Sequence, residues 1–183
     1  DNNWYLDGNN ASVVSSDGNK TTVQMGSGYR GDLWLARSGK GKIVNVTPAD
    51  YRYFAIKVGF KSQLVPGKNK PNGCIKLEIF DDGIKKIGPE YFGTGGDANN
   101  RYEILGASEI STTEPNVLYY DLQSKYKTVT PTDWNQVFDL VQCKFVIADF
   151  PETAQTYDLY WIRSFKSIEE LQAFVDSENN TNE

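Results

Sequence analysis

The side chains available for chemistry in this chain are aromatic rings and carboxylates, because histidine is missing altogether. Its absence removes the usual general base, the usual zinc ligand and the usual pH switch. There is no Gly-x-Ser-x-Gly elbow, and no serine or cysteine has a basic partner to activate it. Gly93-Thr94-Gly95-Gly96 is not followed by Lys-Ser/Thr or by a helix start, so it reads as a turn rather than a phosphate loop. Paired carboxylates would serve a glycosidase, with Glu78, Asp121 and Asp149 as candidates. Among 24 acidic residues some pairs lie close by chance, which makes catalysis the weaker expectation. Asp81-Asp82-Gly83 and Asp97-Ala98-Asn99-Asn100 carry oxygen donors suited to calcium, but neither fits the EF-hand loop, and solvated turns account for both. No cofactor is expected, and a structural calcium is left open.

The sharper signal lies in aromatic residues on strand faces that point away from a core. Trp34 in Gly31–Arg37 and Tyr53 in Tyr51–Phe60 occupy such positions, as does Tyr51. Trp4 and Trp134 flank turns. A sugar ring presents a flat C–H face to an aromatic plane, while acids, amides and amines satisfy its hydroxyls. Trp34, Tyr53, Tyr51 and Trp134 are therefore the expected platforms, with Asp32 and Lys57 as polar partners on the same faces. For any one of these rings, packing under a loop or the second sheet is as good an account as ligand contact. For Trp161, Phe54, Phe145 and Phe165, packing is the favoured role.

The elements that must position these residues are read from periodicity. Leu33 and Leu35 alternate with Asp32, Trp34 and Ala36. Phe54, Ile56, Val58 and Phe60 alternate with Tyr53 and Lys57, and Ile75, Leu77 and Ile79 with Lys76 and Glu78. Further strands are expected at 11–15, 20–25, 42–46, 101–105, 116–122 and 137–150, with turns at Asp7-Gly8-Asn9-Asn10 and Ser16-Asp17-Gly18-Asn19. Phe145 and Ile147, and the run Tyr157 to Arg163, mark strands that do not alternate cleanly. They are expected at the centres of sheets with both faces partly covered. Ser167 and Glu170 form a capping box that opens a helix burying Ile168, Leu171, Phe174 and Val175. Ser177 to Glu183 reads as a frayed polar tail.

About ten short strands with frequent turns specify an all-β fold: a two-sheet antiparallel jelly-roll sandwich with a short C-terminal helix. The chain has 183 residues, 16 Gly and 7 Pro, no internal repeat and no linker, so residues 1–176 form one domain. The net charge of −5 with no concentrated basic face argues against duplex nucleic acid. No apolar run is long enough to span a membrane as a helix. Cys74 and Cys143 each sit in an apolar strand and read as small buried hydrophobes, with a disulfide left open should their strands face each other.

The C-terminal run YDLYWIRSFKSIEELQAFV, preceded by FVIADF, resembles the terminal signature of a family of extracellular β-sandwich domains from polysaccharide-utilising gut bacteria. YRGDLWLAR, YRYFAIKV and VLYYDL resemble other strands of that family, so the likeness spans residues 28–177. It implies a jelly-roll or galactose-binding-like sandwich akin to carbohydrate-binding modules, attached to glycoside hydrolases or surface glycan-binding proteins and exported to the cell surface. Trp161, Ile162, Phe165 and Leu171 are its fold markers, and no ligand-contacting motif carries over.

The expected function is non-catalytic binding of a polysaccharide or oligosaccharide by a module of a larger protein, with single-module affinity in the micromolar to millimolar range. The rivals are a structural spacer without a sugar ligand and a small jelly-roll glycoside hydrolase or lyase.

Overall fold

A computed structural model describes residues 6–26, 30–37, 44–46, 50–61, 74–80, 91–93, 103–121, 138–140, 142–148 and 155–181. The strands are β1 (Asp7–Asn9), β2 (Ala11–Ser16), β3 (Thr21–Met25), β4 (Arg30–Ala36), β5 (Val44–Val46), β6 (Tyr53–Phe60) and β7 (Cys74–Phe80). They continue with β8 (Tyr91–Gly93), β9 (Glu103–Ile104), β10 (Asn116–Asp121), β11 (Phe138–Leu140), β12 (Gln142–Ala148) and β13 (Thr156–Phe165), and the chain closes with helix α1 (Ile168–Asn180). A five-stranded sheet runs β1-β4-β12-β7-β8 and a six-stranded sheet runs β2-β3-β13-β6-β10-β9, with β5 and β11 forming a separate ribbon. Among the described residues every strand pair is antiparallel. The fold is the two-sheet antiparallel sandwich that the alternating apolar positions specify.

The core lies between the sheets. From the five-stranded sheet come Leu33, Leu35, Ile75, Cys143, Phe145 and Ile147. From the six-stranded sheet come Val23, Phe54, Ile56, Val58, Leu118, Tyr120, Tyr157, Leu159 and Ile162. These are the period-2 inner positions of β4, β6 and β12, and burying them is the main source of stability. As their broken alternation implies, β12 and β13 are interior strands, paired on both sides.

Two sequence expectations change. The segment Asp7-Gly8-Asn9 pairs with Asp32, Leu33 and Trp34 as β1, and the reversal falls at Asn10 with φ +56°. Asn10 holds the bend by donating from its side chain to the Arg30 carbonyl at 2.7 Å. The polar C-terminus is not frayed from Ser177 onward. The helix continues to Asn180 because Ser177 donates to the Phe174 carbonyl, Thr181 caps the Glu178 carbonyl, and Glu178 is bound to the sheet. At the other end Ser167 accepts from the Glu170 N–H at 3.1 Å, while the Glu170 carboxylate takes the Lys166 N–H, one residue earlier than in a standard capping box.

Cys74 and Cys143 sit on paired strands, but Cys143 is opposite Ile79 and Cys74 is opposite Ala148. Five residues of strand, about 16 Å, separate the two positions, which excludes a disulfide. Cys143 is a buried free thiol, and burial pushes its pKa up.

Candidate functional site

The outer face of the six-stranded sheet is divided in two by a β-bulge. Leu159 pairs with Val58, but Trp161 pairs with Lys57, so Tyr160 is an extra residue in β13. Leu159 and Ile162 both enter the core, and the two residues between them share the outer face. Tyr160 lies across Gly59 and takes the Lys57 ammonium at 5.3 Å. Trp161 packs edge-on to Phe165 and Phe174 at 6.0 and 5.2 Å, and its indole N–H donates to both Glu178 oxygens at 3.1 Å.

Beyond the bulge β3 no longer flanks β13, because their pairing stops at Leu159 and Thr21. Here a hollow of about 370 Å³ opens, within the range of about 300–1,000 Å³ common for small-ligand sites. One wall is the β13 run Leu159 to Arg163, the other is the hairpin segment Asp17 to Thr21, and Leu6 closes the inner side. That turn is rigid: the Asp17 carboxylate accepts the N–H groups of Asn19 and Lys20 at 2.7 and 2.9 Å, and the Asp17 N–H donates to the Lys20 carbonyl. The two backbone N–H groups hold the Asp17 carboxyl below its ordinary pKa.

Behind the turn, Asp158 accepts from Thr22 at 2.6 Å and from Lys20 at 3.1 Å, with Lys61 at 3.8 Å. Burial opposes its ionisation, but these donors and charges outweigh that and set its pKa below the ordinary value. Lys20 is correspondingly raised by its hydrogen bond to Asp158. Asp17 and Asp158, the carboxylates beside the hollow, are therefore both held ionised.

The residues singled out from the sequence do not converge. Trp34 and Asp32 are on the outer face of the five-stranded sheet, whereas Tyr53 and Lys57 are on the opposite outer face of the sandwich. Trp34 is half-buried, with the Lys144 ammonium and the Arg37 guanidinium at 4.8 and 4.9 Å from its ring. Asp32 is buried and accepts two hydrogen bonds from Arg30, at 2.6 and 3.0 Å, and one from Lys144 at 3.0 Å. Burial opposes the Asp32 charge, and the donors overcome it to keep the carboxyl below its usual range.

Tyr53 is no open platform: it packs edge-on to Tyr119 at 6.2 Å in the apolar cluster beneath α1, with Arg52 over its ring. Lys57 pairs with Glu178 at 3.5 Å. Tyr51 is 40% exposed, with Lys166 over its ring at 5.4 Å. Trp134 and the two calcium-type motifs lie outside the described residues. So does Asp149, while Asp121 is clamped by Arg52 and its strand lies in the sheet opposite to that of Glu78. Tyr160, Arg163, Asp17, Asn19 and Lys20 were not among the expected site residues. Their signal was the doubled outward step Tyr160-Trp161 between the inward Leu159 and Ile162.

A family model described as "Domain of unknown function (DUF4979)" matches residues 1–171. No curated protein matches the chain. A solved structure from work on carbohydrate-binding modules of the β-sandwich superfamily is similar, with a TM-score of 0.46 and 12% identity, over 90% of this chain. The chain spans 57% of the length of that protein.

Proposed function

We propose that this chain, which belongs to the DUF4979 family, is a non-catalytic carbohydrate-binding module whose ligand seat is the hollow beside the β13 bulge. The observation that supports this reading is the hollow itself: two adjacent aromatic side chains and a rigid polar turn line an open space of about 370 Å³ on a sheet. A saccharide unit there meets Tyr160, Trp161 and Arg163 on one side and the Asn19 amide and Lys20 on the other. The aromatic contacts contribute on the order of 1 kcal/mol each and the hydrogen bonds a similar amount, so affinity is modest and gains from linkage to other modules.

Non-catalytic action fits the two described acids beside the hollow. Hydrolysis by two carboxylates needs one with a raised pKa, and Asp17 and Asp158 are both shifted the other way. Trp34 makes a second, separate platform on the other outer face, where Arg37 must swing aside to admit a sugar, while Asp32 stays buried and engaged by Arg30 and Lys144. In this reading the module is exported, works at the cell surface beside a catalytic or anchoring partner, and needs no cofactor. The test is affinity electrophoresis of the wild type and Tyr160→Ala on plant and host polysaccharides. Retardation by at least one glycan, reduced several-fold in the variant, is expected. Equal retardation of both proteins by every bound glycan removes the hollow as the seat.

A further inference from the structure

The hollow carries an asymmetry of charge that names a ligand class. Three ionisable groups with full charge line it: Asp17, Lys20 and Arg163. Asp17 is occupied by the turn N–H groups and Lys20 by Asp158. Arg163 is exposed, and among the described residues no carboxylate pairs with it and no carbonyl accepts from it. It is nevertheless held in place. Its guanidinium lies over the Phe174 ring at 4.3 Å, and its strand is locked opposite Ala55 beneath the helix. Stacking covers a face of the guanidinium and leaves the N–H donors in its plane unspent.

A positioned, unpaired guanidinium beside two aromatic residues matches a sugar that carries a planar carboxylate. We infer that the hollow takes a uronic acid unit, with its carboxylate on Arg163 and its ring against Tyr160 and Trp161. This rests on the hollow being the saccharide seat. Guanidinium and carboxylate match as a fork, giving charge-assisted hydrogen bonds about twice as strong as neutral ones. The net charge of −5 gives no long-range attraction for a polyanion, so selectivity for the acid comes from the Arg163 contact.

The experiment is an NMR titration of the 15N-labelled chain with galacturonate, glucuronate, galactose, glucose and acetate. It reads the Arg163 Nε–H and Trp161 indole N–H resonances. At least one uronate is expected to move both resonances and to bind about tenfold tighter than its neutral hexose, a preference that added salt weakens. Arg163→Gln abolishes the preference, and Arg163→Lys retains part of it. A hexose that moves Trp161 and binds as tightly as its uronate overturns the carboxylate assignment and leaves the saccharide seat standing. Acetate that matches the uronates reduces the site to a bare carboxylate contact and overturns the sugar. If none of the four sugars moves Trp161, this inference and the proposed seat both fall.

Discussion

The two halves of the six-stranded sheet's outer face are built from the same strands, β6 and β13, yet have opposite characters. Under α1 the face is apolar and sealed: Ala55, Val117, Phe165 and Leu171 are buried, with Tyr53, Tyr119, Trp161 and Phe174 packed around them. On the other side of the bulge it is ion-paired, with Lys20, Asp158 and Lys61 near Tyr160, while Arg163 stays on the helix side with its guanidinium over Phe174. The helix decides which half a residue belongs to. An outward-facing aromatic residue serves the fold where α1 reaches it and is available to a ligand where α1 does not. Trp161 stands at the border, with its ring on Phe174 and its N–H on Glu178.

The largest effect that divides the halves is in stability. Phe165→Ala empties a buried site under the helix and should cost about 3–5 kcal/mol in denaturant unfolding. At temperatures where the variant is folded, its saccharide binding should match the wild type. A collapse of binding in the still-folded variant would join the two halves into one unit.

Next is the acid limb of stability. Asp158 has a folded pKa below its unfolded value, so its contribution is present above about pH 4 and is lost as pH falls through the lower folded pKa. Asp32, on the other sheet, follows the same sign. Asp158→Asn should lower the melting temperature at pH 7 and flatten its decline between pH 4 and pH 2. An unchanged slope means that Asp158 is not part of the acid-sensitive network.

Tyr160→Ala is expected to weaken saccharide binding by about 1 kcal/mol, roughly fivefold, in calorimetry. It should change stability much less than Phe165→Ala does. Trp34→Ala tests the opposite face, and because the two rings share no partner, the combined variant should show additive losses. The smallest effect belongs to Glu178→Gln. This partly buried ion pair with Lys57 is long at 3.5 Å and is worth about 1 kcal/mol, and the amide oxygen can still accept the Trp161 indole N–H. A large loss would show that the end of α1 also holds the hollow's wall in place.

Much of the fold was legible in the sequence. The limits of β7 were read to the residue from CIKLEIF, and β6 to within two residues, because clean alternation between apolar and polar positions has no competing periodicity. The Ser167 cap and the buried Leu171 were legible for the same reason, as was the core role of Phe54, Phe145 and Phe165. The site was far less legible. Trp34 and Tyr53 both read as outward, and both are, but alternation says only that a side chain leaves the core. It does not say which sheet carries the strand or what lies above it. The hollow's residues went unnoticed because a bulge looks in sequence like failed alternation, and Tyr160-Trp161 made β13 look uniformly apolar.

The sequence by itself determined most of the strands and their inner faces, the helix start and the want of any imidazole chemistry. These follow from local periodicity and from side-chain inventory. Only the tertiary structure decided that Cys74 and Cys143 are kept apart by register, that Lys57 belongs to Glu178, and that Tyr53 packs on Tyr119 while Tyr160 lines the hollow. Those outcomes depend on contacts between residues tens of positions apart. A local pattern fixes the direction of a side chain, but its partners are chosen by where the rest of the chain folds back.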